Sequence, residues 1–534
     1  MVLHIDGEDS AAVLAQLGLD AVPVRAGPLR LDAAFEGALG TAGTLTVEAM
    51  IAGIDIAYDA ETALQNGDIA LTGLAEATAV DTDPALLLAG VAVPGLGEGH
   101  SASAAGRLRI TPDRLDLAIS EATFDGQPLG GTVQADLRDG MRLKGALELQ
   151  AVSLPVLAAL ATGTAPGIGA EGWNEDPLAA VLPPGVSLDF AIAAKTLDLG
   201  LPIAAGDAKL EVDVSRSALN IDLIQADFGG GTLKGAIAAT VADGEAHASL
   251  SGALHGGELQ ALLWERNGLP AASGQLDLSF EATGRGRSTA GIVATLSGSG
   301  SFAISEGRLN ALNPQALDAA MRAGETDAEP DQDKVREEFA ILFGSGAFPF
   351  GRAAGSFSIN NGMVKVATVS VAAAATDVLA DATLDLNDLT LASEWSIRAG
   401  EAGVADEQKP SVDVRFSGPI SRPERQVDLA PLLDLVQSRH LQRQLAELEA
   451  LEKARRQFEA AQAEKRRDDT ERRRLDVGAA GRAPSPAPVP DRAPYEVAPP
   501  LDLLPDQEAS AVSAPDLVQQ MQPAVEDMIR GPMP

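Results

Sequence analysis

Two-residue alternation of apolar and polar side chains, interrupted at short intervals by turn signals, is what most restricts the fold of this chain. Leu108 and Ile110 alternate with Arg107, Arg109 and Thr111; Pro112-Asp113 punctuates; then Leu115, Leu117 and Ile119 share one face of the next run. Successive side chains of a strand point to opposite faces, so this spacing predicts strands with one apolar and one polar side. The cycle recurs at Leu143–Leu149, Leu188–Ala194, Leu197–Leu199, Leu219–Leu223, Leu276–Phe280 and Val364–Val371, and it marks most of the first 425 residues as strand. Antiparallel meanders adopt this arrangement, with one face packed and one solvated.

An internal repeat sits on top of the alternation. Ala122–Gly140 aligns without gaps on Ala226–Gly244, and Phe124/Phe228, Gly126/Gly230, Leu129/Leu233, Gly131/Gly235 and Asp139/Asp243 coincide. The matched spans extend to 115–160 and 219–264, each read as several strands and one short helix. Chance similarity in Ala/Gly-rich sequence is the alternative reading. Gly163–Gly185 and the acidic stretch Gly324–Asp333 read as loops, with short helices expected at Asn313–Ala323 and Glu337–Phe343.

Composition narrows what such strands can build. Hydrophobic residues make up 46% of the chain but aromatic ones only 3%, which favours a broad aliphatic face over a thick core. A formal charge of −36 argues against electrostatic capture of nucleic acid or anionic headgroups by the main body. There is no cysteine, hence no disulfide, thiolate cluster or thiol nucleophile. Met1–Asp9 carries acidic residues where a secretory leader has basic ones, and no run reaches the roughly 18 apolar residues of a membrane span.

After Pro423 the character changes. From Pro431, Leu441, Leu445, Leu448, Leu451 and Phe458 recur at helical steps among charged residues, which predicts an amphipathic or coiled-coil helix over 431–476. The Pro/Ala-rich remainder, 477–534, reads as disordered, with a short apolar piece at Ala511–Ile529.

Motifs that could carry chemistry fail on context. The string Gly167–Gly172 has dinucleotide-binding spacing but follows Thr164-Ala165-Pro166 and leads into Trp173–Pro177 rather than a helix. Phe228–Thr232 lacks the lysine of a phosphate loop. Asp327, Glu329, Asp331 and Glu338 have calcium-loop spacing, yet Gln332 replaces the turn glycine and Pro330 stiffens the loop, so a solvated acidic loop is the preferred reading. The histidines His4, His100, His247, His255 and His440 show no metal-ligand spacing, and no nucleophile elbow is present. Trp173, Trp264 and Trp395 read as plugs of sheet ends or helix contacts. No catalytic, cofactor-binding or metal residue is assigned, and the chain reads as a non-enzyme.

The segment Leu296–Arg439 resembles the C-terminal region of the AsmA family. The resemblance rests on the glycine-punctuated run Ser297–Leu309, the helix-like Leu312–Leu317, Phe348–Arg352, Gly355–Gly362, Ala380–Leu386 with Leu389–Leu391, and the closing Phe416–Pro423. It implies an envelope protein on the periplasmic side of the inner membrane, related to TamB-like bridge-type lipid carriers. Such relatives carry an N-terminal membrane anchor, which this chain as written does not show. The fold expected is mainly β: an elongated, curled antiparallel β-sheet of repeated meander-plus-short-helix units with an apolar groove, followed by a C-terminal helix and a disordered tail. The regions expected are a repetitive β-rich part over 1–295, an AsmA-like C-terminal region over 296–430, the helix over 431–476 and the tail over 477–534. The function implied is shielding or transfer of phospholipid in support of outer-membrane biogenesis. A scaffold that recruits an envelope protein through 431–476 is the alternative. Leu115, Leu117, Ile119, Leu219, Ile221 and Leu223 are the lipid-lining candidates, and ordinary packing against a neighbouring element is equally open for them.

Overall fold

The computed structural model describes residues 1–479 except 19–21, 25, 38–41, 66–67, 92–96, 139, 165–167, 170–171, 180, 267, 327–330, 374–375 and 400–408. It divides into two units, Met1–Glu449 and Ala450–Pro534. From position 480 the expected tail, with Ala511–Ile529, lies outside the described residues.

Among the described residues, 22 strands form one sheet in the first unit. Nine strands, from Val2–Gly7 to Met141–Ser153, pair antiparallel in chain order. Val186–Asp198 then joins Met141–Ser153 in parallel, and twelve more strands, ending at Glu424–Asp428, continue antiparallel in chain order.

Hairpin chemistry explains the chain order. Two-residue turns that match the twist of their strands need positive φ at both positions, which Asp, Asn and Gly tolerate best. Asp125-Gly126 (48° and 74°), Asp243-Gly244 (52° and 74°) and Asn361-Gly362 (51° and 75°) meet that demand. The two similar segments follow one plan. Arg114–Phe124, Gln127–Asp136 and Met141–Ser153 lead into a helix, as do Ala218–Phe228, Gly231–Ala242 and Glu245–Glu258. A bulge between Ile119 and Ala122 recurs between Leu223 and Ala226.

Eight helices interrupt or follow the strands: α1 (Ser10–Gln16), α2 (Asp83–Leu88), α3 (Leu154–Thr162), α4 (Leu259–Leu262), α5 (Thr289–Ala294), α6 (Gln315–Thr326), α7 (Gln332–Phe343) and α8 (Ala430–Ala479) among the described residues. α3 has Pro155 in its first turn and stops at left-handed Gly163. α7 starts upstream of the expected 337 because Asp331 caps it, accepting from the amides of Asp333 and Lys334. α6, α7 and the start of α8 form the largest core cluster, in which Leu317, Phe339 and Leu432 pack with Phe348, Ile397 and Val412 of the sheet. Beyond that start α8 leaves the core, and Leu441, Leu445 and Leu448 are exposed.

Two features correct the expected fold. The sheet is not strongly curled: strands pack closely only on their ladder neighbours, and the edge strands Val2–Gly7 and Glu424–Asp428 do not pair with each other. Nor is it wholly antiparallel around an open groove. The parallel pair requires a crossover, residues 154–185, and this crossover and the helices fill apolar surface locally.

Phe339 is 2% exposed whereas Leu445 is 60% exposed. Phe339→Ala is expected to destabilise the first unit by about 3–5 kcal/mol, and Leu445→Ala by less than about 0.5 kcal/mol. Urea unfolding followed by circular dichroism reads both, and equal losses would contradict this packing.

Candidate functional site: an apolar sheet face

Register determines which side chains share a face, because a one-residue slip would turn every one of them over. One line of directly paired residues can be followed through twenty successive strands. It runs Phe35, Leu45, Ala60, Gly73, Leu108, Leu117, Val133, Gly145, Phe190 and Val212. It continues through Ile221, Ile237, Leu250, Ala282, Gly298, Ile359, Val364, Leu384, Leu391 and Gly418. No polar side chain interrupts the line. The next strand along brings Arg425 up beside Phe416; its guanidinium stacks 4.7 Å from the Phe343 ring and donates to the Ala311 carbonyl at 2.8 Å.

Neighbouring lines have the same character, and they connect the six sequence candidates. Leu115 leads through Ala135, Leu143, Leu188 and Val214 to Leu219. Ile119 leads through Gly131, Leu147, Ile192 and Leu210 to Leu223 by the same pairings. The face is therefore common to all six, but the two triplets lie about 24 Å apart, five strand spacings at ~4.8 Å. Their surroundings differ. Leu115, Leu117 and Ile119 are half-buried. Leu219, Ile221 and Leu223 are buried within the protein's own core cluster.

Aromatic rings lie over glycines on this face. A Cβ on Gly252 would collide with the Phe280 ring, and one on Gly300 with Phe357. Tyr58, which sequence reasoning passed over, is buried on the same face and donates to the Leu108 carbonyl at 3.1 Å. Burial pushes its hydroxyl above the usual tyrosine value. The Ile54, Ile56, Tyr58 alternation was the available signal.

The remaining sequence candidates are dispersed. Ile168–Gly169 and Gly172–Trp173 form a small ribbon instead of a strand leading into a helix, and positions 167, 170 and 171 lie outside the described residues. Asp331 caps α7 and Glu338 lies within it, while 327 and 329 are outside the described residues. His4, His100 and His255 each pair with an aspartate on or beside a neighbouring strand. Trp173 donates from Nε1 to the Leu386 carbonyl at 2.6 Å, and Trp264 and Trp395 flank Phe416 at 6.5 and 5.6 Å. Among the described residues no group of three or more His, Cys, Asp or Glu is placed to hold a metal, and no helix is long and apolar enough to cross a membrane. The candidate site is a surface rather than a cluster of side chains.

One polar joint borders that surface. His100 Nδ1 lies 2.7 Å from Asp125, and its ring stacks on Phe124 at 5.5 Å. The hydrogen bond to Asp125 raises the His100 value, with Asp83 and Glu98 adding to the field, and the same bond lowers Asp125. A raised histidine contributes fully below its ordinary value and loses that contribution as pH rises through the raised one. A lowered carboxylate contributes above its ordinary value and loses that as pH falls through the lowered one. The joint is therefore strongest in mildly acidic solution. Asp125→Asn is expected to return the His100 titration, followed by NMR, toward the ordinary histidine value; an unmoved titration would contradict the pairing.

A family model described as the AsmA family matches residues 170–369. That region includes Ser297–Leu309 and Gly355–Gly362, and it ends before Ala380–Leu386 and Phe416–Pro423. No curated protein matches the chain. A solved structure of a mutant Rh. blastica porin is 10% identical, covers 67% of this chain and 89% of that chain, and has a TM-score of 0.12, too low to carry any argument.

Proposed function

We propose that this chain is a non-catalytic envelope protein that shields or transfers phospholipid on the apolar face of its sheet, in support of outer-membrane biogenesis. The observation that carries the reading is the line of paired apolar residues through twenty strands. The match of residues 170–369 to the AsmA family supports an envelope-associated role, and the periplasmic side of the inner membrane is the site we assign to it.

Physical chemistry selects the ligand. Burying each methylene of an acyl chain is worth about 0.8 kcal/mol and needs no specific side chain. Strand backbones in the sheet interior are paired with both neighbours, so the face offers few hydrogen bonds. An acyl chain requires none, whereas an extended peptide would bring its own amides and carbonyls to an apolar surface. With a net charge of −36, the body gains no general attraction for anionic headgroups, so affinity has to come from the chains.

A second reading is favoured by α8, where Leu441, Leu445 and Leu448 are 59%, 60% and 59% exposed. In that reading the helix over 431–476 recruits an envelope partner and the sheet serves as a spacer.

Lipid mass spectrometry of the natively purified protein separates the two. Phospholipid in stoichiometric amount is expected. A carboxylate within the half-buried face, Leu117→Asp, is expected to weaken phospholipid binding to the strands around it about tenfold, as a cost of ~1.4 kcal/mol implies. Lipid-free wild-type protein that still binds partners through α8 would favour the scaffold.

A further inference from the structure

We infer that the crossover joining Met141–Ser153 to Val186–Asp198 divides the apolar face into two separate acyl-chain basins, one on the strands before it and one on the strands after it. This rests on the lipid reading above and adds where the lipid lies.

Antiparallel neighbours are joined by turns at strand ends, but a parallel pair needs a connection that returns along the length of the sheet over one face. Here that connection covers the apolar face. Leu182 belongs to the same buried cluster as Ile192, Leu210, Val212 and Ile221. Val212 is 4% exposed and Ile221 1% exposed, so the apolar surface of these central strands is already occupied by protein atoms. Interiors packed to this degree have no room for a guest.

The crossover is held along its described length. The Ala179 amide donates to the Thr162 carbonyl and the Leu178 amide to that of Arg287, at 2.9 and 2.8 Å. Asn174 accepts from the Ala290 amide at 3.0 Å, and Trp173 donates to Leu386 at 2.6 Å. Ala179 ties it back to α3, while Trp173, Asn174 and Leu178 tie it to α5 and to residues just beyond strands late in the sheet.

On either side most of the larger side chains of the same rows are only half-buried, although Ala60, Ala282 and Ile359 are buried. Leu45, Leu108 and Leu117 precede the covered zone, and Leu250, Phe280 and Phe357 follow it. The surface is chemically continuous but physically interrupted. Lipid in one basin cannot slide into the other along the sheet while the crossover stays in place.

Photocrosslinking from aromatic positions tests this with little disturbance. A benzoylphenylalanine replaces, one at a time, Phe35 in the first basin, the buried Phe228 in the covered zone, and Phe280 or Phe357 in the second. The full chain is irradiated with phosphatidylcholine vesicles, and lipid adducts are read by mass spectrometry on proteins whose melting curves match the wild type. Adducts are expected in both basins and only background in the covered zone. Adducts at Phe228 equal to those of the basins would overturn the partition while leaving the lipid reading intact, and adducts in one basin alone would overturn the pair of basins. No adduct anywhere would remove the lipid reading itself. Should the covered-zone variant fail to fold, counting bound lipids on the folded protein by native mass spectrometry decides. Leu117→Asp and Phe357→Asp are each expected to remove a separate share and together all of it. Complete loss from either single substitution would indicate one continuous site.

Discussion

Register across consecutive strands is the constraint on which everything else here depends. Each hairpin sets the phase of the next strand, and because side chains alternate with period two, an error of one residue anywhere would turn the downstream apolar residues to water. The Asp-Gly and Asn-Gly turns hold that phase locally. Bulges shift the backbone without breaking the row, as between Ile119 and Ala122 and again between Leu223 and Ala226. The result behaves as a one-dimensional array, in which each strand owes its stability mainly to the two beside it.

An array of this kind has one face to hide and several ways to hide it. α6, α7 and the start of α8 cover part of the C-terminal strands with large aromatic and aliphatic side chains. α3 and the crossover cover the central strands. A smaller cluster, with Ala11, Ala26, Ala52 and Leu88, brings α1 and α2 together at the first strands. The rest of the face is left half-exposed, unusual for a surface this apolar in a chain with such high net charge.

Much of this architecture could be read from residue order alone, since strands, hairpins and the shared face of Leu115, Leu117 and Ile119 follow from local alternation and turn chemistry. Burial could not. Leu219, Ile221 and Leu223 alternate just as the earlier triplet does, yet they lie under Leu182 and its neighbours, from a stretch whose glycines and prolines read as a loop. Parallel pairing of Met141–Ser153 with Val186–Asp198 was hidden for the same reason: the partner of a strand is settled by distant contacts and not by its own pattern. The expected curl failed because local covers satisfied the apolar face without closure. Tyr58 was overlooked because its hydroxyl disguised a buried position whose partner is the Leu108 carbonyl.

The lone parallel pair also shapes how the molecule assembles. Most other junctions join strands separated by a short turn, so those hairpins can zip as soon as both arms exist; Ser297–Asn310 and Ala347–Asn360, parted by α6 and α7, are an exception. The junction after Ser153 must wait until the whole intervening segment has been made and folded back. During synthesis the first nine strands can therefore pair in sequence before the rest of the sheet, with Met141–Ser153 as their temporary raw edge. That edge is a row of unpaired amides and carbonyls open to other chains until Val186–Asp198 arrives to cover it.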